Sequence, residues 1–495
     1  MGKTMERMKT IFNYAHHLGF NNPYYFVDQD SKLEVDVSFQ SIMNKQSGSK
    51  SINPKAIVSF LSWTYFLGDN CIVNEINRSP WMATPDNDKS KWQFYDLPKH
   101  GSTKVHEKEI ADQLFELLCE EIKDYVGDAK SVGILLSGGM DSRMLAGCLY
   151  HMIKHQQVDV HRVVAYTWGD KNSRDHIYAK RLAENLGWEF QYFHVGAKEI
   201  WENIMLAGTR GCEYSGIHLH AMPQIAETND VDILFAGSYG DSVGRAEYSG
   251  SRVDKVKSIE KGLKNKLGLI ESQVFESAKT SLLKDINSYH KIFPRDKNYQ
   301  QNELDRQLHY MRRKLNACME VINDKTPLYQ IFTSPKVFGY MWSLDLSVRN
   351  DKVYFYLLEK FSTKISQIPW ARTGKRFMID EEPDKFKKVH HSYSDIIQHE
   401  LYDKILSYVN DNRKLVQYIN IEVFNSIMEE IKKYPKHNFD YLEVITWVVS
   451  YTRFLVDNKN LIEANNKNSK NKSNHFVKIQ YRTKTRLRNL KNRIK

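Results

Sequence analysis

The chain has 495 residues, 41% of them hydrophobic and 12% aromatic, which excludes a disordered polymer and allows two to four domains with large cores. No apolar run reaches the ~18–20 residues of a membrane span and no cationic, apolar, small-residue leader opens it, so no integral membrane segment is expected. The net charge of +11 would suit nucleic acid, but eleven basic residues and no acidic one follow Glu463; 71 − 11 leaves 60 basic against 60 acidic residues, so the body is formally neutral and nucleic acid is not an expected partner.

In chain order, Tyr24–Val27 and Leu33–Val37 flank Asp28-Gln29-Asp30-Ser31 and read as a hairpin. Asn53-Pro54 then opens a helix over Lys55–Leu67, stopped at Gly68-Asp69. Cys71 is the first of five widely spaced cysteines, with Cys119, Cys148, Cys212 and Cys318, and no C-x-x-C pair occurs. They read as core thiols of a reducing cytoplasm, neither a disulfide frame nor a zinc site. The polar connection Leu97–Lys104 divides a first unit, residues 1–98, from a second, 105–460; a basic tail, 461–495, follows, with a polar, flexible composition over Asn465–Asn474. Glu107–Val126 is an amphipathic helix with Ile110, Leu114, Leu117, Leu118 and Ile122 on one face.

Val132–Leu136 is an apolar run suited to a buried parallel strand. Ser137-Gly138-Gly139-Met140-Asp141-Ser142 turns it into a helix running to about Lys154. Strand, glycine turn and helix N-terminus aim backbone N–H groups and a positive dipole end at one spot, a seat for an anion. A Walker loop would place a lysine here. This turn instead offers the hydroxyls of Ser137 and Ser142 and the carboxylate of Asp141, a set suited to Mg²⁺ held between protein and phosphate oxygens.

Arg162–Trp168 is the next strand, and Ser173-Arg174-Asp175 starts a helix that stops at Gly187. Glu189–Val195 and Val231–Ala236 are further strands, the latter breaking at Gly237-Ser238-Tyr239-Gly240-Asp241-Ser242. This alternation predicts an α/β fold with a doubly wound parallel sheet, whose ligands sit beyond the carboxyl ends of the strands. Ser137–Ser142, Trp168 and Gly237–Asp241 all fall at such ends. His218 and His220 would share one face of an extended segment, but no third ligand accompanies them, and they read as a polar pair near a cleft. Residues 255–317 and 401–458 have helical patterns.

The run Leu135-Leu-Ser-Gly-Gly-Met-Asp-Ser-Arg-Met-Leu-Ala-Gly147 resembles the pyrophosphate loop of the N-type ATP pyrophosphatases, and within them the asparagine synthetase family with its β-lactam-forming and peptide-cyclising relatives. The resemblance implies an adenine nucleotide alpha-hydrolase-like sheet, an N-terminal α+β remnant of a glutaminase domain and a C-terminal helical region. It implies ATP and Mg²⁺ as cofactors. Ser137, Gly138, Gly139, Asp141 and Ser142 would hold the phosphates, with Trp168 near adenine. Gly237 and Asp241 match the family's second acidic loop, so Asp141 and Asp241 would be the metal carboxylates. Ser238 and Ser242 replace two glutamates of that loop, which argues against L-aspartate as the acid. Val348-Arg349-Asn350-Asp351-Lys352 and Arg372-Thr373-Gly374-Lys375-Arg376-Phe377 are similar to late basic segments of the family. Lys375 is the catalytic cation this implies, with Lys352 in reserve.

Position 2 is Gly2, where the glutamine-hydrolysing members carry their cysteine nucleophile. The implied activity is therefore a cytoplasmic carbon–nitrogen ligase that activates a small-molecule or peptide carboxylate as an acyl-adenylate. It would take ammonia or an amine, from solution or from a separate subunit, without hydrolysing glutamine itself. Two alternatives are a tRNA- or metabolite-modifying pyrophosphatase and a non-catalytic nucleotide-binding relative.

Overall fold

The computed structural model describes residues 11–433 and 439–463; most of the basic tail lies outside them. Strands β1 (Tyr24–Val27) and β2 (Leu33–Asp36) pair antiparallel, with Tyr25 opposite Val35, and β3 (Asn77–Arg78) pairs with the other edge of β1. Helix α1 (Pro54–Trp63) is capped by the Asn53 side chain, which accepts from the Lys55 N–H, and has proline at its first position. It ends four residues earlier than the sequence suggests. Thr64 adopts φ 67°, a left-handed conformation that halts the helix.

Helix α2 (Glu107–Val126) buries Ile110, Leu114, Leu118 and Ile122, the apolar face its periodicity predicts. It leads to β4 (Ser131–Leu135), α3 (Met140–Lys154), β5 (Arg162–Trp168), α4 (Arg174–Leu186), β6 (Glu189–Phe193), α5 (Ala197–Thr209), β7 (Ile233–Ala236) and α6 (Gly240–Arg245). A fifth strand of the same sheet, β8 (Leu328–Gln330), comes later, before α7 (Asp351–Glu359), α8 (Ile421–Lys433) and α9 (Phe439–Asp457). The sheet order is β8-β7-β4-β5-β6, and every pairing is parallel. Helices on its faces explain why Val132, Ile134, Val164 and Ala165 are all buried without polar alternation. The chain runs from β4 outward to β6 and then returns to the other side of β4. The strand order therefore reverses between β4 and β7, and their carboxyl ends open the crevice where such sheets take ligands.

Arg306–Asn316 departs from the ordinary helix its pattern suggests and winds as a π-helix. Long π stretches are rare and accompany functional sites. Here the winding turns Arg312 toward Asp69 (3.0 Å) and the Asn22 side chain (2.6 Å), and Arg313 toward the Asn70 carbonyl (2.9 Å). The N-terminal segment is thereby tied to the body. It also shares a buried cluster with the C-terminal helices, where Phe60 stacks on Trp447 with centroids 4.4 Å apart.

Candidate active site

The turn after β4 is held by its own small polar groups. The Ser137 N–H donates to Ser142 Oγ (3.2 Å), and the Gly139 N–H donates to Ser137 Oγ (3.1 Å). The Gly138 N–H donates to Asp175 Oδ1 (3.2 Å), which ties the first turn of α4 to the glycine turn. Helix α3 is preceded by Gly139, which has no side chain to cap it, so its leading N–H groups have no capping acceptor.

The second loop packs directly on this start. A Cβ added at Gly240 would lie 2.6 Å from the Asp141 Cβ, and one at Gly237 would lie 3.0 Å from the Asp141 carbonyl carbon. Only glycine lets α6 approach so closely, and the approach brings the Asp141 and Asp241 carboxylates together. Burial, and then the Asp241 charge, push the Asp141 carboxyl well above its ordinary range, with Arg245 pulling the other way. Asp141 Oδ1 is sealed from solvent and has no hydrogen bond of ordinary geometry, although the Asp241 carboxyl and the Tyr354 hydroxyl both lie beside the Asp141 carboxyl. A buried acceptor without a donor is costly.

Asp241 is placed differently. Arg245 bonds it, and Arg372 Nη2 lies 3.4 Å from its Oδ2. Arg245 also reaches Asp351 (2.6 Å), and Arg372 reaches Glu247 (3.1 Å). Neither arginine was singled out by sequence. Their contacts join α6 to α7 and to the loop after residue 370, and only the folded chain makes that visible.

A cavity of about 260 Å³ opens beside the two loops. Ser137, Gly139, Asp141, Ser142 and Gly237 form one wall; Trp168, His218, His220, Leu315, Cys318 and Met319 complete it. His218 sits in a 3₁₀ turn, Gly216–Leu219, instead of an extended segment, because the chain doubles back there between α5 and β7. Burial lowers the pKa of both histidines, so they are neutral. His220 Nδ1 is 2.8 Å from the Tyr393 hydroxyl, and its ring stacks on Trp168 at 6.0 Å. Both ring nitrogens of His218 are buried without partners. Tyr239, in contrast, is fully buried on the core side of its loop and does not face the cavity.

The two basic candidates stand apart from the cavity. Lys375 Nζ is 3.6 Å from Asp380 on an exposed loop, and Lys352 is exposed at the start of α7. The cationic groups that reach the carboxylate pair here are Arg245 and Arg372. Two facing carboxylates, one with an orphaned oxygen, form a hard-oxygen set that fits Mg²⁺, which draws its remaining ligands from water and phosphate. Among the described residues no group of three or more His, Cys, Asp or Glu could supply a fuller cage.

No curated protein matches the chain significantly. Residues 113–326 match the family model described as asparagine synthase, a stretch that runs from within α2 past α6 and contains both Asp141 and Asp241. Lys352 and Lys375 lie beyond it. The chain thus carries a synthetase domain of the asparagine synthetase family, a family of ATP-dependent synthetases.

Proposed function

We propose that this protein is an AMP-forming carbon–nitrogen ligase: it joins a substrate carboxylate to the α-phosphate of ATP, releases pyrophosphate, and passes the acyl group to ammonia or an amine. The observation that carries this reading is the meeting of Asp141 and Asp241 at the reversal point of a parallel sheet, beside a glycine turn and an uncapped helix start.

The polyphosphate sits on the N–H groups opening α3 and on the hydroxyls of Ser137 and Ser142, with Gly138 and Gly139 keeping the backbone close. Trp168 and Gly237 flank the nucleoside. Asp141 and Asp241 would hold Mg²⁺, which would neutralise phosphate charge and favour pyrophosphate as leaving group. A carboxylate oxygen attacks the α-phosphorus, its new P–O bond forming as the bond to the β-phosphate oxygen breaks. The amine nitrogen then attacks the acyl carbon, loses a proton, and AMP leaves with the C–O bonding pair. Arg372, on the loop after residue 370 and against Asp241, stabilises the charge that develops, while Lys375 and Lys352, which stand apart from the cavity, contribute positive field at longer range.

The nitrogen comes from outside this chain's cysteines. All five are buried, and burial pushes the thiols of Cys71, Cys148 and Cys212 well up and that of Cys318 to about 12. None of these four thiols has the lowered pKa of a nucleophile. ATP–pyrophosphate exchange, assayed with a panel of carboxylates, tests the reading. Exchange that depends on an added acid and vanishes in a folded Asp141→Asn variant is expected; undiminished exchange in that variant would refute it.

A further inference from the structure

Arg143 stands directly after Ser142 and is fully buried. Among the described residues its guanidinium has no carboxylate for a partner. It donates instead to three backbone carbonyls, those of Ile368 (2.5 Å), Pro369 (2.8 Å) and Gly138 (3.5 Å). Stability does not account for this residue. A buried cation without an anion is costly, and the first turn of α3, where the helix dipole is positive, is the wrong end for one.

What the three carbonyls share is their place. Ile368 and Pro369 lead into a tight turn, in which the Trp370 N–H donates to the Lys375 carbonyl (2.7 Å) and the Gly374 N–H to the Trp370 carbonyl (2.7 Å). The Ala371 N–H donates to the Gly138 carbonyl (3.1 Å), and a Cβ on Gly138 would come within 2.8 Å of the Ala371 Cβ, so this segment packs directly on the glycine turn. The Trp370 ring then seats both guanidiniums that reach Asp241: Arg372 lies 4.4 Å and Arg245 5.5 Å from its centroid. Arg143 therefore touches both stretches of backbone that frame the carboxylate pair, with a planar fork suited to several acceptors at once.

We propose that Arg143 is a positioning residue: it pins residues 368–371 to the glycine turn and so holds Trp370, and through it Arg372 and Arg245, at Asp241. The catalytic consequence rests on the ligase reading and the pin itself does not, so the test has one arm for each. In the first, ATP–pyrophosphate exchange is measured for the parent, Arg143→Met, Arg372→Ala and the double variant. Arg143→Met lowers kcat about tenfold or more while the KM for Mg·ATP moves less than about threefold, because the N–H groups and Asp141 that would bind the nucleotide remain. The double variant loses much less than the product of the two single effects, because Arg143 acts through Arg372. An unchanged kcat, or effects that multiply, would overturn the inference and leave the ligase reading standing.

In the second arm, amide hydrogen–deuterium exchange is followed by mass spectrometry in the parent and in Arg143→Met. The segment holding the Trp370, Ala371 and Gly374 N–H groups loses protection about tenfold or more in the variant, while α2 and β5 keep theirs. That result supports the pin even if no acid sustains pyrophosphate exchange in the parent, in which case the ligase reading fails alone. Equal protection of this segment in the two proteins overturns the pin. Should Arg143→Met not fold, Arg143→Lys, which keeps the charge but not the fork, replaces it in both arms with the same outcomes.

Discussion

Two buried clusters of charge in this molecule have opposite character. Around Glu213, Arg78 Nη2 approaches to 2.9 Å and Arg313 Nη2 to 3.2 Å, and although burial alone would raise the Glu213 pKa, the two guanidiniums bring it below the ordinary range. Around Asp141, a second carboxylate faces the first, one oxygen has no partner, and the pKa goes up. In the first cluster the carboxylate has a guanidinium on either side, which fastens β3 to the π-helical segment even though Arg313 Nε is left without a partner. The second is left open at the one place where the sheet topology offers a crevice. A buried carboxylate held between cations reads as architecture; one that faces a second carboxylate reads as a place where a cation binds.

Breaking the first cluster has the largest effect. Glu213→Gln takes from buried Arg313 its carboxylate and from Arg78 one of two, the other being Glu320 (3.0 Å), and is expected to cost about 3–5 kcal/mol in chemical denaturation. The open cluster responds in the other sense. Asp141→Asn lowers ATP–pyrophosphate exchange by about a hundredfold or more, the scale of one lost electrostatic contact to reacting phosphate, while the same denaturation shows no loss of stability.

The pH dependence sharpens the contrast, and the two signs differ. Glu303, bonded by His100 (3.1 Å) and Arg349 (2.9 Å), is lowered to about 2. Its contribution is complete above the unfolded value of roughly 4.3 and is lost as pH falls toward 2. Asp141 is raised, so the folded state holds a proton that the unfolded chain releases, and its stability contribution is lost as pH rises. The stability of Asp141→Asn relative to the parent therefore increases with pH from the acid side, by at most about 1.4 kcal/mol per unit, and flattens once Asp141 ionises. A difference that is flat across acid pH would remove the contrast. The smallest effect concerns the loop after residue 370. Arg372→Ala is expected to lower exchange by about tenfold, because it touches Asp241, and Lys375→Ala by less. The reverse order would hand the cationic role to Lys375.

How much of this was legible in the sequence depends on how local the signal is. The glycine turn, α2, β5 and the stop of α4 at Gly187 (φ 72°) are written in consecutive residues, and the structure has them where the patterns put them. The parallel, doubly wound class of the sheet also followed, because alternating strands and helices leave few topologies, but the order of the strands and the edge strand β8 did not. The long-range contacts were hidden. Nothing near Arg245 or Arg372 announces that they bracket Asp241, and Ser238-Tyr239 gives no sign that the tyrosine turns inward. The π winding of Arg306–Asn316 was equally invisible, since polar helices of either pitch share the same composition. The early end of α1 at Thr64 depends on one left-handed residue that propensity would not choose, and Lys314 secures it through the Thr64 hydroxyl (2.7 Å).

The most direct test of the account is calorimetric titration of Mg·ATP into the full chain and into its Asp141→Asn variant, with denaturation confirming that both are folded. Saturable binding to the parent, weakened at least about tenfold in the variant, is the result expected of an open carboxylate pair at the strand reversal. Equal affinity in the two proteins, or no binding to the parent, would contradict it.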